Sequence, residues 1–179
     1  MAVVSLVIAG PDLLGFVSLL IRWLHVLAAI VWVGLVIFVN FVQLVAMTEA
    51  DEGQRGFIGK AIATRAALWF RHASTVTVAA GILLLLAGGY VLPNVIYGSG
   101  VFVPPARSIL LWVGALGGIV MWTFVHMFIW PAMQVVLGLR PASTELRSQS
   151  FEKVRTFARL NLVLAVPVTF AMVAAAHLF

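Results

Sequence analysis

Apolar positions in this chain come in long unbroken runs, without the alternation of a half-buried strand. Four stretches contain no Asp, Glu, Lys or Arg: residues 23–48, 72–106, 108–139 and 160–179. A membrane-crossing helix needs about 20 apolar residues, so each stretch is long enough to span. The second stretch carries Gly88, Gly89, Pro93, Gly98 and Gly100, which predicts a helix ending near Leu92. A loop or shallow segment then runs through Pro104 and Pro105. Pro11 and Asp12 are a plausible helix start, which extends the first run through Leu13–Ile21. The predicted spans are 13–47, 69–92, 107–137 and 154–178 of a single membrane domain, residues 1–179. Trp23, Trp69, Trp112 and Trp130 fall near their ends, as interfacial aromatics do. Charges at helical spacing over 143–159 extend the fourth helix beyond the bilayer.

Composition sharpens this pattern. Of 179 residues, 63% are hydrophobic and only 9% charged, against about a quarter charged in soluble domains. That excludes a soluble globular domain, a disordered chain and a nucleic-acid reader. The net charge of +5 therefore reads as topology and not as phosphate-backbone binding. Nine of the eleven basic residues lie in two loops: Arg55, Lys60, Arg65 and Arg71 in one, Arg140, Arg147, Lys153, Arg155 and Arg159 in the other. Only Arg22 and Arg107 lie on the opposite side. The positive-inside rule places both loops in the cytoplasm and both termini outside. Short connections favour antiparallel neighbours, so the expected fold is an all-α, integral-membrane, up-down four-helix bundle. The first ten residues lack a basic n-region, so no targeting peptide is expected.

Candidate chemistry rests on four histidines, one per span: His25, His72, His126 and His177. Ionisable side chains inside a membrane are costly and are functional candidates by default. Level-matching sorts them into two pairs, His25 with His177 outside and His72 with His126 inside. On the third helix, His126 lies about 21 Å below Trp112 at 1.5 Å per residue, so the levels are separate. Two imidazoles converging from two helices suit the axial positions of a haem b iron, and two levels allow one or two haems. A hard-cation site would want carboxylates, and the spans contain none. Two histidines per level are few for copper or zinc. With no Cys in the chain, disulfides, Fe–S clusters and covalent c-type haem are excluded.

Arg22, His25, Ala29, Trp32, Val36, Asn40 and Gln43 share one face of the first helix, which is expected to point inward. Arg22, one turn from His25, could meet a haem propionate. The third helix has Gly114, Gly117 and Gly118 above His126, with Gly114 and Gly118 as a small-residue pair, and such glycines admit a flat macrocycle or another helix. The plainer alternatives are histidines bonded to neighbouring helices, a solvated His72, and Asn40 and Gln43 as interhelical links.

Several runs carry a family resemblance: Arg22-Trp-Leu-His25 through Trp32-Val-Gly34, Asn40-Phe-Val-Gln43, Ala67-Leu-Trp69-Phe-Arg71-His72, Ile129-Trp130-Pro131 with Gly138, Arg159-Leu-Asn161, Pro167, and Ala-Ala-Ala-His177. Together, from Arg22 to His177, they resemble the membrane domain of the bacterial urate hydroxylase (PuuD) family. The opening Leu-His and Trp pattern is also similar to CopD-like and HemJ-like membrane families, the latter haem-linked protoporphyrinogen oxidases. The resemblance implies a redox protein of the bacterial inner membrane and a cytochrome partner at the outer face. It carries over His25, Trp69, Arg71, Trp130, Asn161 and His177 as motif residues.

Three functions follow as expectations. The first is a b-type haem protein passing electrons between a quinone or dehydrogenase and an outer acceptor such as cytochrome c. The second is a non-redox accessory subunit of a larger membrane complex, or a homo-oligomer, without cofactor. The third is an enzyme of the urate hydroxylase or protoporphyrinogen oxidase type. Partners are thus the lipid bilayer, a quinone, a cytochrome c or further membrane subunits, with no nucleic acid.

Overall fold

A computed structural model describes residues 13–87 and 105–178. They form four long helices: α1 (Leu13–Glu49), α2 (Glu52–Ala87), α3 (Ala106–Val136) and α4 (Thr144–His177). All four are long and apolar enough to cross a membrane, which makes this a multi-pass membrane protein. The expected helix start at Pro11–Asp12, the end of the second span near Leu92 and the Pro/Gly loop after it lie outside the described residues. α2 starts at Glu52, well before the span expected from 69, because the segment carrying Arg55, Lys60 and Arg65 is helical too.

Local chemistry explains the breaks between helices. Ala50 is extended, and Asp51 opens α2 with a reciprocal capping box. Gln54 N donates to Asp51 Oδ1 at 2.8 Å, and Asp51 N donates to Gln54 Oε1 at 3.0 Å. α3 closes on Gly138, whose φ of +73° admits glycine cheaply. Leu139 N reaches Gln134 O at 2.9 Å and Gly138 N reaches Val135 O at 3.1 Å, the paired bonds of a Schellman turn. Ser143 Oγ then caps α4 by accepting from Leu146 N at 3.2 Å.

Three helices contain a π-helical turn, each beside a group that disturbs the ordinary ladder. In Val39–Gln43, Asn40 Nδ2 donates to Val36 O at 2.8 Å. In Ile58–Ala63, the following Thr64 Oγ1 donates to Gly59 O at 3.0 Å. Phe124–Ile129 immediately precedes Trp130 and Pro131, and Pro131 has no N–H to return to the previous turn.

Packing joins consecutive helices through small residues. α1 lays Ala28, Trp32 and Val36 inward, and α2 answers with Ala66, Phe70, Ala73, Thr77 and Ala80. On α3, Gly114 and Gly117 leave room for Met172 and Val168 of α4, and an added Cβ at either would collide. Gly118 meets nothing, so the close approach uses Gly114 with Gly117 and not the expected Gly114–Gly118 spacing. Phe128 stacks on Phe157 at 4.2 Å. Asn40 Nδ2 also donates to Ala158 O of α4 at 3.0 Å. The shared core includes Trp32, Val36, Phe70, Met121, Val125 and Ala165. The outward faces are bare apolar side chains, such as Leu14, Ile30, Val163 and Val166, as contact with lipid requires.

Candidate functional site

The inward face of α1 follows the helical period from His25 to Gln43. Trp32 is 3% and Gln43 6% exposed, while His25 and Asn40 are half-buried. Arg22 departs from the stripe and is exposed. A long cation at a helix end lowers its energy by reaching away from the core.

His25 is held by α2. Its Nδ1 lies 2.8 Å from the backbone carbonyl of Thr77, so Nδ1 carries the proton and donates it. One turn further along α2, Gly81 sits against the same ring: an added Cβ would lie 3.0 Å from His25 Cε1 and 3.3 Å from Nδ1. The Thr77 hydroxyl donates separately to Ala73 O at 2.8 Å. Among the described residues, Nε2 of His25 makes no hydrogen bond.

His126 has the opposite situation. Its Nδ1 lies 3.0 Å from Trp122 O, and its Nε2 lies 3.0 Å from Thr75 Oγ1. Nδ1 faces a carbonyl, and Nε2 faces a hydroxyl whose single hydrogen is also within reach of Arg71 O, at 3.0 Å. The Trp122 indole stacks on the imidazole at 4.5 Å and donates its Nε1–H to Thr75 Oγ1 at 3.4 Å. Both nitrogens of His126 are therefore engaged. His72 is exposed, and His126 faces Thr75 and not His72. His177 is exposed in the last turn of α4. His25 and His177 are not brought into contact: the ring of His25 lies on α2. Near His177, Arg107 Nε donates to Ala175 O at 3.0 Å, tying the start of α3 to the end of α4.

Of the other motif residues, Arg71 lies over the Trp130 ring, 4.9 Å from its centroid. Trp69 is exposed. Asn161 is fully buried, and neither its Nδ2 nor its Oδ1 has a partner. Trp32 Nε1 is likewise buried and unpaired. Buried orphan amides and indoles are rare and mark places where water or a bound group completes the bonding. No group of three or more His, Cys, Asp or Glu side chains converges among the described residues.

Sequence reasoning missed Thr75, Thr77 and Gly81. Gly81 carried a faint signal as an isolated glycine within an apolar run. The threonines carried none, because their roles depend on which helix lies opposite. Comparison with family models, curated proteins and solved structures finds no match to this chain.

Proposed function

We propose that this chain is a b-type haem protein of the bacterial inner membrane. It would pass electrons between a quinone or dehydrogenase partner and an outer acceptor such as cytochrome c. The proposal includes an up-down arrangement with both termini outside. Two kinds of observation support that arrangement. His25 near the start of α1 meets Thr77 and Gly81 near the end of α2, and Gly114 early in α3 meets Met172 late in α4. Nine of eleven basic residues also fall in two segments, 55–71 and 140–159, which an up-down bundle would place on the same side.

The observation that carries the reading is His25. Histidines that ligate metals characteristically donate the second ring N–H to a carbonyl or carboxylate, which sets the tautomer and raises the basicity of the ligating nitrogen. Thr77 O plays that part here, leaving Nε2 for iron, and Gly81 removes the side chain that would crowd the ring. The donor set thus fits one histidine ligand that would hold a haem iron. Haem, when bound, would supply a one-electron couple. His177 is the proposed partner ligand. Extending the Asn40–Ala158 register along both antiparallel helices, from Asn40 back to His25, puts position 173 level with His25. His177 is then one turn above, about 6 Å. Arg22, on the same end of α1, offers a cation to a propionate. The expected separation into an outer and an inner level is not found: along α2, His126 meets Thr75 and His25 meets Thr77 and Gly81, about 3–9 Å apart, so the proposal rests on His25 and includes no second station.

The test is the visible spectrum of the purified full chain, before and after loading with haem b. A Soret band that His25→Ala abolishes and His177→Ala shifts or weakens supports the reading. Pure, folded protein without a Soret band after loading overturns it and leaves the accessory-subunit reading.

A further inference from the structure

The basic end of the bundle holds a cavity of about 350 Å³ between the end of α1, the start of α2, the end of α3 and the start of α4. Its walls have two unlike parts. Leu44, Met133, Val136, Leu137 and Val154 form an apolar side, while Arg55, Lys60 and Gln43 bring polar groups. Gly56 and Gly59 also line it, and a Cβ on either would meet nothing within 4 Å. Two π-helical turns border it, one carrying Gln43 and the other Gly59, Lys60 and Ala63. Such turns recur at functional sites because they re-aim side chains.

Arg55 and Lys60 are exposed and have no ion-pair partner among the described residues, and Gln43 lacks a partner for its oxygen. Gln43 is 6% exposed, and its Oε1 has no hydrogen bond. Among the described residues, the single ion pair is Arg155 with Glu152. Arg55 reaches only Thr48 O, at 3.5 Å. No acid lines the cavity. Asp51 is occupied as the α2 cap, Glu49 lines a separate shallow hollow beside Gly53 and Phe57, and Glu52 is exposed on the first turn of α2.

Two unpaired cations, a buried acceptor and an apolar wall at the end of a membrane-spanning bundle define a ligand. We propose that this cavity binds a phosphodiester group carried on an acyl chain, namely an anionic phospholipid whose headgroup bears a hydroxyl. The phosphate takes Arg55 and Lys60, the hydroxyl donates to Gln43 Oε1, and the acyl chain covers the apolar wall. Inorganic phosphate shares the charged part of this chemistry but leaves the apolar wall and Gln43 uncovered. The proposal does not depend on the haem reading.

The experiment follows the thermal midpoint of the purified full chain in phosphatidylcholine nanodiscs. One arm titrates short-chain phosphatidylglycerol and a second titrates inorganic phosphate. A saturable rise with phosphatidylglycerol is expected. Arg55→Gln with Lys60→Gln should weaken its apparent affinity about tenfold or more. Arg140→Gln with Arg147→Gln removes the same charge from the other loop and should leave it unchanged. Gln43→Leu should remove the preference for phosphatidylglycerol over phosphatidylmethanol, which lacks the hydroxyl. Equal weakening in both double variants, or none in the first, overturns the site. An equal saturable response to inorganic phosphate keeps a phosphate site and overturns the lipid as its occupant.

Discussion

His25 and His126 are both half-buried histidines on apolar helices, and both present Nδ1 to a backbone carbonyl, at 2.8 and 3.0 Å. They differ at the other nitrogen. Nε2 of His126 meets Thr75 beneath a stacked Trp122, whereas the ring of His25 is bordered by Gly81. The first arrangement closes the imidazole within the protein and serves as a link between α3 and α2. The second leaves a preoriented donor nitrogen with nothing bonded to it. A histidine in an apolar helix therefore acquires its role from the neighbouring helix: Thr75 engages Nε2 of His126, whereas Thr77 O and Gly81 border only the Nδ1–Cε1 edge of His25.

The largest effect should come from exchanging that neighbour. Gly81→Leu would drive a side chain into the space occupied by the His25 ring and should abolish haem retention, read as loss of the Soret band. Retained haem would show that the ring position is irrelevant to binding. In the same assay His126→Ala should keep its haem, and an equal loss there would erase the distinction between the two sites.

Next in size is Gly117→Ala. Its Cβ meets Val168 of α4, and forcing volume into a packed contact costs about 1–3 kcal/mol. Gly118→Ala, where a Cβ meets nothing, should be neutral or slightly stabilising, because alanine is the better helix former. Thermal unfolding in detergent compares the pair, and equal destabilisation would refute the contact.

Asn161→Leu removes a side chain with two orphan polar atoms. If nothing completes its bonding, stability should rise by about 1 kcal/mol, since relieving an unsatisfied buried polar group offsets the change in shape. A clear fall would mean that a bound water or ligand uses Asn161. Last comes Thr75→Val, which removes the contacts of Thr75 Oγ1 with His126, Trp122 and Arg71 O; stability should fall by about 1 kcal/mol, the net worth of a typical hydrogen bond, with the His25 spectrum untouched.

The number and helical character of the long apolar elements were readable from the charge-free runs alone. A span in lipid must satisfy its backbone within itself, so a long apolar run has almost no alternative to a helix. The inward side of α1 was also readable from His25 to Gln43, because polarity at helical spacing must turn away from lipid. Arg22 broke that pattern, since its stem is long enough to carry the charge outward. Gly114, Gly117 and Gly118 pointed to a close helix contact, but which of Gly117 and Gly118 faces α4 depends on the rotation of α3.

Sequence by itself thus determined the four apolar helices, the absence of cysteine chemistry and the gathering of basic residues, all of which depend on composition and short-range period. Tertiary structure alone decided that His25 meets Thr77 O and Gly81, that His126 is closed by Thr75, that Asn161 is buried without a partner, and that Arg55, Lys60 and Gln43 share one cavity. The reason is physical. Each of these depends on the register and rotation of one helix against another, set by small residues such as Gly81 and Gly117 and by π-helical turns that shift the phase of the side chains beyond them. Hydrophobic periodicity fixes neither register nor rotation to within a turn.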